Sequence, residues 1–389
     1  MRVWRDLFEA RAPMTDRTTV TVYASQPAAG QSALPPADAP RPAVSLIATV
    51  RNEGAHLEAW LESLLAQTRR PDEIVIVDGG STDDTFARLQ AFAARAPVPV
   101  RAWQAPGANI ARGRNLAIER AAGPVIACTD AGCELAPEWL AAITGPFAAD
   151  PALEVSVGYY AALQPTDFER VTAAYLVPPL THVNPRTLLP STRSVAFRQE
   201  AWRAVGGFPE WLTLTAEDTL FGVALKSRPA RWAFVPEALV RWHLRPTWRG
   251  LWRQVRRYGQ GDGEAGLFPE RYREHLRLIL TLGLALAAGL LAVALAGLTR
   301  QPAWLLAALP PGLWLARRLW RLTLRPRFRL PSGAAWPTGP AHAVWIWLLS
   351  ATVALTIPTA LGVGFIAGAR RRPPAWPVAA INSDPSLSR

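Results

Sequence analysis

From Val44 onward, short apolar runs alternate with stretches of helical periodicity, and that alternation confines the chain to a narrow set of folds. VSLIATV is an apolar run of strand length and RNEG is a polar turn. In HLEAWLESLLAQ the residues Leu57, Trp60, Leu61, Leu64 and Leu65 recur at helical spacing. EIVIVD, the loop GGSTDD and the helix-like TFARLQAFAARA repeat the unit, and VPVRAWQ, ARGRNLAIERA and PVIACTD continue it. The economical architecture is an α/β domain on a parallel sheet. In such sheets ligands bind beyond the carboxyl ends of the strands. Three strands end in polar loops, Arg51-Asn52-Glu53, Asp78-Gly79-Gly80-Ser81 and Asp130-Ala131-Gly132, so all three are predicted to face one crevice. Taken singly each is an ordinary turn, and Asp83 or Asp84 before Thr85 reads as a helix cap.

The last third of the chain obeys a different rule. Leu278 to Leu298 is 21 residues without a charge, enough to span a hydrocarbon core of about 30 Å. Ala343 to Gly368 is a second such run, in which Pro358 and three glycines predict a kink or break. Ala303 to Ala316 is apolar but short and carries Pro310 and Pro311; it is either half of a helical hairpin or an interfacial segment. The formal charge of +12 is almost wholly arginine, since Lys226 is the only lysine. Arginines cluster beside the apolar runs (Arg271, Arg273 and Arg277; Arg317, Arg318 and Arg321; Arg325, Arg327 and Arg329; Arg370, Arg371 and Arg372). This is membrane-flanking charge, and no nucleic-acid module accompanies it. With three spans, the arginines from Arg317 to Arg329 fall on the same side as the α/β domain, which the positive-inside rule places in the cytoplasm. The two cysteines, Cys128 and Cys133, make no disulfide framework and point to a reducing compartment. The chain thus divides into a tail over 1–42, disordered by composition, an α/β domain over 43–270, a membrane region over 271–372 with segments 278–298, 303–316 and 343–368, and a tail over 373–389.

VSLIATVRNEGAHLEAWLESLLAQ followed by EIVIVDGGSTDDT resembles family 2 of the glycosyltransferases, and the likeness runs over residues 43–265. The resemblance implies the GT-A fold, a Rossmann-like nucleotide-diphospho-sugar transferase domain, and inverting transfer of a hexosyl type. It assigns Val50, Arg51, Asn52 and Glu53 to the loop that holds the nucleotide base, with Asp78 as the carboxylate that reads it and Gly80 in the same donor-binding loop. A base edge offers both donors and acceptors, which suits a carboxylate beside backbone groups. Asn109 to Asn115 resembles the helix that approaches the nucleotide-sugar. Arg112 and Arg114 lie two apart and cannot share a helical face, so one of them is solvated or structural. Arg112 is favoured for the diphosphate because it faces the same way as Asn109; Asn115 completes that set.

Asp130 stands where the family carries an Asp-x-Asp motif, but Gly132 replaces the second carboxylate. The family's cofactor is a divalent metal, Mg²⁺ or Mn²⁺, for which Asp130 and the downstream His243 are the candidate ligands. Glu217-Asp218 resembles the family's Glu-Asp pair, with Asp218 as the general base that takes the proton of the acceptor hydroxyl. Its plain alternative is acidic charge at a helix N-terminus. Gln254 and Arg257, with Tyr258, resemble loosely the Gln-x-x-Arg-Trp motif and would contact an acceptor or a leaving phosphate. GQGDGEAG after them is flexible by composition. The implied partners are a nucleoside-diphosphate sugar, a lipid-linked or glycan acceptor such as a polysaccharide precursor, and the membrane, which makes the expected location a multi-pass cell-membrane protein. A second reading, motivated by Gly132, is a catalytically weak nucleotide-sugar-binding scaffold subunit. A nicotinamide-binding domain is disfavoured because no Gly-x-Gly-x-x-Gly follows the first strand.

Overall fold

The computed structural model describes residues 18–24, 30–34, 41–54, 56–324 and 339–373. Two strands come first, β1 (Thr18–Ala24) and the short β2 (Ser32–Ala33). The predicted alternation follows as β3 (Val44–Val50), α1 (Leu57–Leu65), β4 (Glu73–Asp78), α2 (Thr85–Arg95), β5 (Val100–Gln104), α3 (Ile110–Arg120) and β6 (Val125–Cys128). β3 is buried at every position but Thr49, and β4 throughout, as continuous apolar runs in a doubly covered sheet must be. The parallel order β5-β4-β3-β6 brings the carboxyl ends of β3, β4 and β6 to one edge. Alternate residues of β3 serve opposite cores: Leu46, Ala48 and Val50 join Trp60 and Trp139, while Ile47 joins Val75, Phe197 and Phe221. α3 packs closely on β3 because Gly113 faces Thr49, where any Cβ would collide.

Beyond β6 the sheet is mixed, not all-parallel as the alternation suggests. The elements are β7 (Cys133–Leu135), α4 (Trp139–Thr144), α5 (Pro146–Ala149), β8 (Val155–Leu163), α6 (Asp167–Leu176), β9 (Val195–Arg198), α7 (Gln199–Ala204), α8 (Glu217–Lys226) and β10 (Ala230–His243). β9 runs antiparallel to both β6 and β8. The chain leaves β8 at the loop edge, stays there through α6, and re-enters from that edge, which reverses the strand. The sheet order is β2-β1-β10-β8-β9-β6-β3-β4-β5, with β7 antiparallel to β10. β1 pairs in parallel with β10 and corrects the assignment of residues 1–42 to a disordered tail. TTVTVYA opens with five consecutive β-branched residues, which favour a strand, and surrounding alanine and proline masked that signal. The rest of that tail outside 18–24, 30–34 and 41–42 lies outside the described residues, as do 374–389 and Arg325, Arg327 and Arg329.

Four helices complete the described residues: α9 (Trp248–Ala265), α10 (Pro269–Thr299), α11 (Trp304–Leu324) and α12 (Pro340–Ala369). α10 and α12 are long and apolar enough to cross a bilayer, and they contain the runs 278–298 and 343–368. The 303–316 run lies mostly within α11, whose apolar part is shorter. α12 continues through the buried Pro358 without the predicted break. GQGDGEAG is also helical up to Ala265, contrary to its flexible composition. Its glycines are spacing devices: a Cβ on Gly259 or Gly263 would run into the carbonyls of Leu361 or Phe365, and one on Gly364 or Gly368 into those of Arg256 or Gln260. α9 and α12 therefore meet backbone to backbone through reciprocal glycines four residues apart.

Candidate active site

At the carboxyl edge of the sheet, the first two polar loops are laced together. Asn52, held in a left-handed conformation at φ 55°, donates its N–H to Ser81 Oγ (2.8 Å) and accepts at Oδ1 from Thr82 N (2.9 Å). Glu53 N donates to Thr85 Oγ1 at 3.0 Å. Asp78 is fully buried, and its Oδ1 accepts from Gly80 N (2.7 Å) and Ser81 N (2.6 Å). Its Oδ2 is buried without a partner among the described residues, so the carboxylate is more than a turn cap. Gly80 sits at φ 91° against Pro106, where only glycine is unstrained. Val50 is buried and Arg51 is exposed beside this pocket of loops. Burial pushes the Glu53 carboxyl up, with Arg245 opposing and Asp130 adding to the shift. Asp84 holds the N-cap position of α2 without a side-chain cap bond, and Asp83 Oδ1 before it accepts from Thr85 N at 3.1 Å.

The third loop meets α3 and α8 at one arginine. Arg114, 1% exposed, donates through Nη1 to Glu217 Oε1 (2.5 Å) and through Nη2 to Asp130 Oδ1 (2.8 Å). Arg112, favoured from its position relative to Asn109, instead lies on the surface and pairs with Glu210 at 3.2 Å. Asn109 caps α3 by accepting from Arg112 N, which holds the cap on the side facing Glu210 and Leu212. The buried positions Ala111, Arg114, Asn115, Ala117 and Ile118 trace the helical stripe that marks Arg114 as inward, a pattern present in the sequence. Asn115 also moves from donor binding to scaffolding. Its amide donates to Phe208 O and Glu210 Oε1 and accepts from Trp202 Nε1 and Phe208 N, which exhausts its capacity.

Glu217 and Asp218 open α8 immediately after Ala216, a non-glycine residue at φ 76°. That strained residue turns the chain so that both acids enter the helix at its N-terminus. Burial pushes the Glu217 carboxyl up against the pull of Arg114, with Asp218 adding to the rise. Asp218 is half-buried and its Oδ1 accepts from Thr219 N at 2.8 Å. Asp218, Glu217, Asp130 and Arg114 line one cavity of about 930 Å³. On the α9 wall the lining residues are Val255, Tyr258 and Asp262; Gln254 and Arg257 are not among them. Arg257 is exposed and Gln254 half-buried, so the motif turns its tyrosine, not its named pair, to the cavity. Arg193, which reaches Tyr258 of that wall at 3.2 Å, was not legible from sequence, because the turn before the antiparallel β9 carries it there.

The candidate metal ligands each have protein partners, and His243 N donates to Gly132 O at 3.1 Å, two residues from Asp130. His243 Nε2 is 2.7 Å from Glu134 Oε1, and its ring stacks on His56 at 4.7 Å. Asp130 has one oxygen committed to Arg114, and among the described residues no three His, Cys, Asp or Glu side chains gather as a cation site. Asp130 and His243 alone would make a thin protein-held site for a divalent metal, whose remaining ligands would be oxygens of a bound diphosphate. A Cβ on Gly132 would meet nothing within 4 Å, so the missing carboxylate is not excluded by crowding. Cys128, whose thiol burial pushes up to about 12, is no nucleophile.

Residues 45–201 match the model for glycosyl transferase family 2, and residues 171–363 match that for glycosyl transferase family group 2. Validoxylamine A glucosyltransferase of Streptomyces hygroscopicus subsp. limoneus is 30% identical over 132 residues, which are 32% of this chain and 29% of that protein. The chain thus matches under a third of that curated relative's length. The mannosyltransferase PcManGT from Pyrobaculum calidifontis, solved in complex with GDP-Man and Mn2+, is 19% identical with a TM-score of 0.52, over 94% of this chain and 93% of that one. At that identity the likeness is one of fold.

Proposed function

Because this chain belongs to glycosyltransferase family 2, we propose that it transfers a hexosyl group from a nucleoside-diphosphate sugar to a membrane-proximal acceptor, a lipid-linked glycan or polysaccharide precursor. One observation carries the reading. The cavity that holds Asp130 and Asp218 is also walled by Leu278, Ile357 and Leu361, from the two helices long enough to cross a bilayer. In this reading the nucleotide lies against the 51–54 and 79–84 loops, and the free Oδ2 of Asp78 accepts from the base edge. Asp218 takes the proton of the acceptor hydroxyl. That oxygen forms the new bond to the anomeric carbon, while the bond to the diphosphate breaks and its electron pair leaves with the phosphate oxygen. Attack opposite the leaving group inverts the centre and needs no covalent intermediate. Arg114 holds Asp130 and Glu217 in place from beneath. The protein is a multi-pass membrane protein with this domain on the cytoplasmic side, a reading supported by the arginines that follow the apolar part of α11.

Replacing Asp218 with asparagine is expected to lower turnover of the sugar donor by about 10²- to 10⁴-fold with nucleotide affinity retained. Unchanged turnover would remove Asp218 from the base role. Donor binding without turnover in the unmodified protein would favour the scaffold reading, and a panel of nucleotide-sugars scored by thermal stabilisation names the donor.

A further inference from the structure

The reaction above leaves one wall of the cavity without a task. Arg193 stands in the turn before β9, partly exposed to the cavity. Its guanidinium lies 4.2 Å from the ring centre of Trp242 and 5.3 Å from that of Tyr160. Nη1 donates to Ser191 Oγ at 2.9 Å and Nη2 to Tyr258 Oη at 3.2 Å, both neutral oxygens. Among the described residues no carboxylate forms an ion pair with it, whereas Arg114 in the same cavity holds two. A guanidinium has five N–H donors, and a cation withdrawn from water without a counter-ion is unfavourable. A planar fork fixed between aromatic faces is pre-organised for an oxyanion.

The neighbourhood continues that chemistry. Tyr258 lies one helical turn before Asp262 on α9, and Asp262 accepts from Arg271 at 3.1 Å. Arg271, Glu274, His275 and Leu278 all line the cavity, so along α10 the wall changes from charged to apolar within two turns. His275 Nδ1 is buried with no partner among the described residues. Across from it Ala354, Ile357 and Leu361 supply an apolar wall from α12.

We propose that Arg193 binds a phosphate group of the acceptor, whose hydrocarbon chain lies along Leu278, Ile357 and Leu361. The proposal rests on the transfer reading given above and names the chemical class of the acceptor, a lipid phosphate or diphosphate. The sugar donor's own diphosphate is the other source of such an oxyanion.

Equilibrium binding separates the two sources. The full chain in detergent micelles is titrated with farnesyl phosphate, farnesol and a nucleoside diphosphate (UDP or GDP), for the unmodified protein and for Arg193→Gln and Arg193→Lys. The unmodified protein is expected to prefer farnesyl phosphate to farnesol by about tenfold or more, the worth of a charge-assisted hydrogen-bond pair. Arg193→Gln abolishes that preference and leaves nucleoside diphosphate affinity within about twofold; Arg193→Lys, which keeps the charge without the fork, retains part of it. A fall in nucleotide affinity as large as that in farnesyl phosphate affinity would reassign Arg193 to the donor, and an intact preference in Arg193→Gln would overturn the site. If Arg193→Gln does not fold, Arg193→Lys carries the test, and a preference equal to that of the unmodified protein overturns the fork's role. Because binding is read without turnover, failure of Asp218 as base leaves this result interpretable.

Discussion

Arg114 shows how much of this site depends on one side chain. Asp130 and Glu217 come from separate loops, and the guanidinium is the described cation that bridges them. Replacing Arg114 with methionine keeps much of its volume but leaves a buried carboxylate and its partner without a counter-ion, a loss of about 3–5 kcal/mol. Arg112→Gln removes a surface pair worth about 1 kcal/mol or less. The expected result is a large drop in melting temperature and turnover for the first and little change for the second; equal effects would contradict the assignment of Arg114 to the centre. Asp262 offers a pH test. Burial raises its carboxyl from 3.8 to about 6, with Arg271 opposing. The folded chain therefore keeps a proton that the unfolded chain releases near pH 4, so raising the pH from about 4 to about 6 favours unfolding through this group, and the penalty is constant above that window. Its full size is at most about 3 kcal/mol. Relative to Asp262→Asn, the unmodified protein should lose stability across that window; parallel pH profiles would show that the carboxyl titrates normally.

At the scale of elements, α9 is clasped from two sides. Gly259 and Gly263 admit α12, while a Cβ on Gly261 would collide with Thr215, which lies two residues before Glu217. Thr213 N and Oγ1 donate to Glu264, and Thr215 Oγ1 donates to Arg257 O. The helix that touches the loop before Glu217 is thus the helix that touches α12. Gly263→Ala adds one methyl at a backbone contact and is expected to cost about 1–3 kcal/mol and to lower turnover. Gly283→Ala adds the same methyl where nothing lies within 4 Å, and it should be neutral or stabilising by up to about 1 kcal/mol. Thermal melts of the two variants check this, and equal stabilities would mean that the crossing is looser than drawn. The same glycines explain why the element was hidden in sequence, since GQGDGEAG reads as flexible unless the partner helix is known. β3, β4 and β6 of the α/β core were legible because each is a largely apolar run ending in a polar loop. β9 was not, because its direction follows from where the chain re-enters the sheet. Arg193 was hidden for the same reason, while Arg114 was legible in the stripe from Ala111 to Ile118.

For the whole molecule, α10 and α12 have similar lengths but different surroundings. In the most apolar window of each, 6% of α10 is buried within the protein against 44% of α12. Leu284 and Leu290 of α10 are 60% and 62% exposed, whereas Leu349 and Val353 of α12 are 4% and 0% exposed. An exposed leucine face of that extent is unfavourable in water and favourable in hydrocarbon, so in the proposed membrane reading α10 is the helix that would face lipid, while α12 packs on the α/β domain. α12 is tied to that domain at two depths, where His342 Nε2 lies 2.8 Å from Asp167 Oδ2 and Ser350 Oγ lies 3.1 Å from Tyr175 Oη, and it meets α10 where Phe365 stacks on Tyr272 at 4.1 Å. Both native cysteines are fully buried with thiols pushed up by burial, so labelling confines itself to introduced sites. Nitroxides placed by cysteine substitution at 284 and 290 in lipid nanodiscs are expected to collide often with oxygen and rarely with an aqueous nickel chelate. Nitroxides at 349 and 353 should be shielded from both. High nickel accessibility at 284 and 290 would place α10 in water and would contradict a membrane-proximal cavity wall at Leu278.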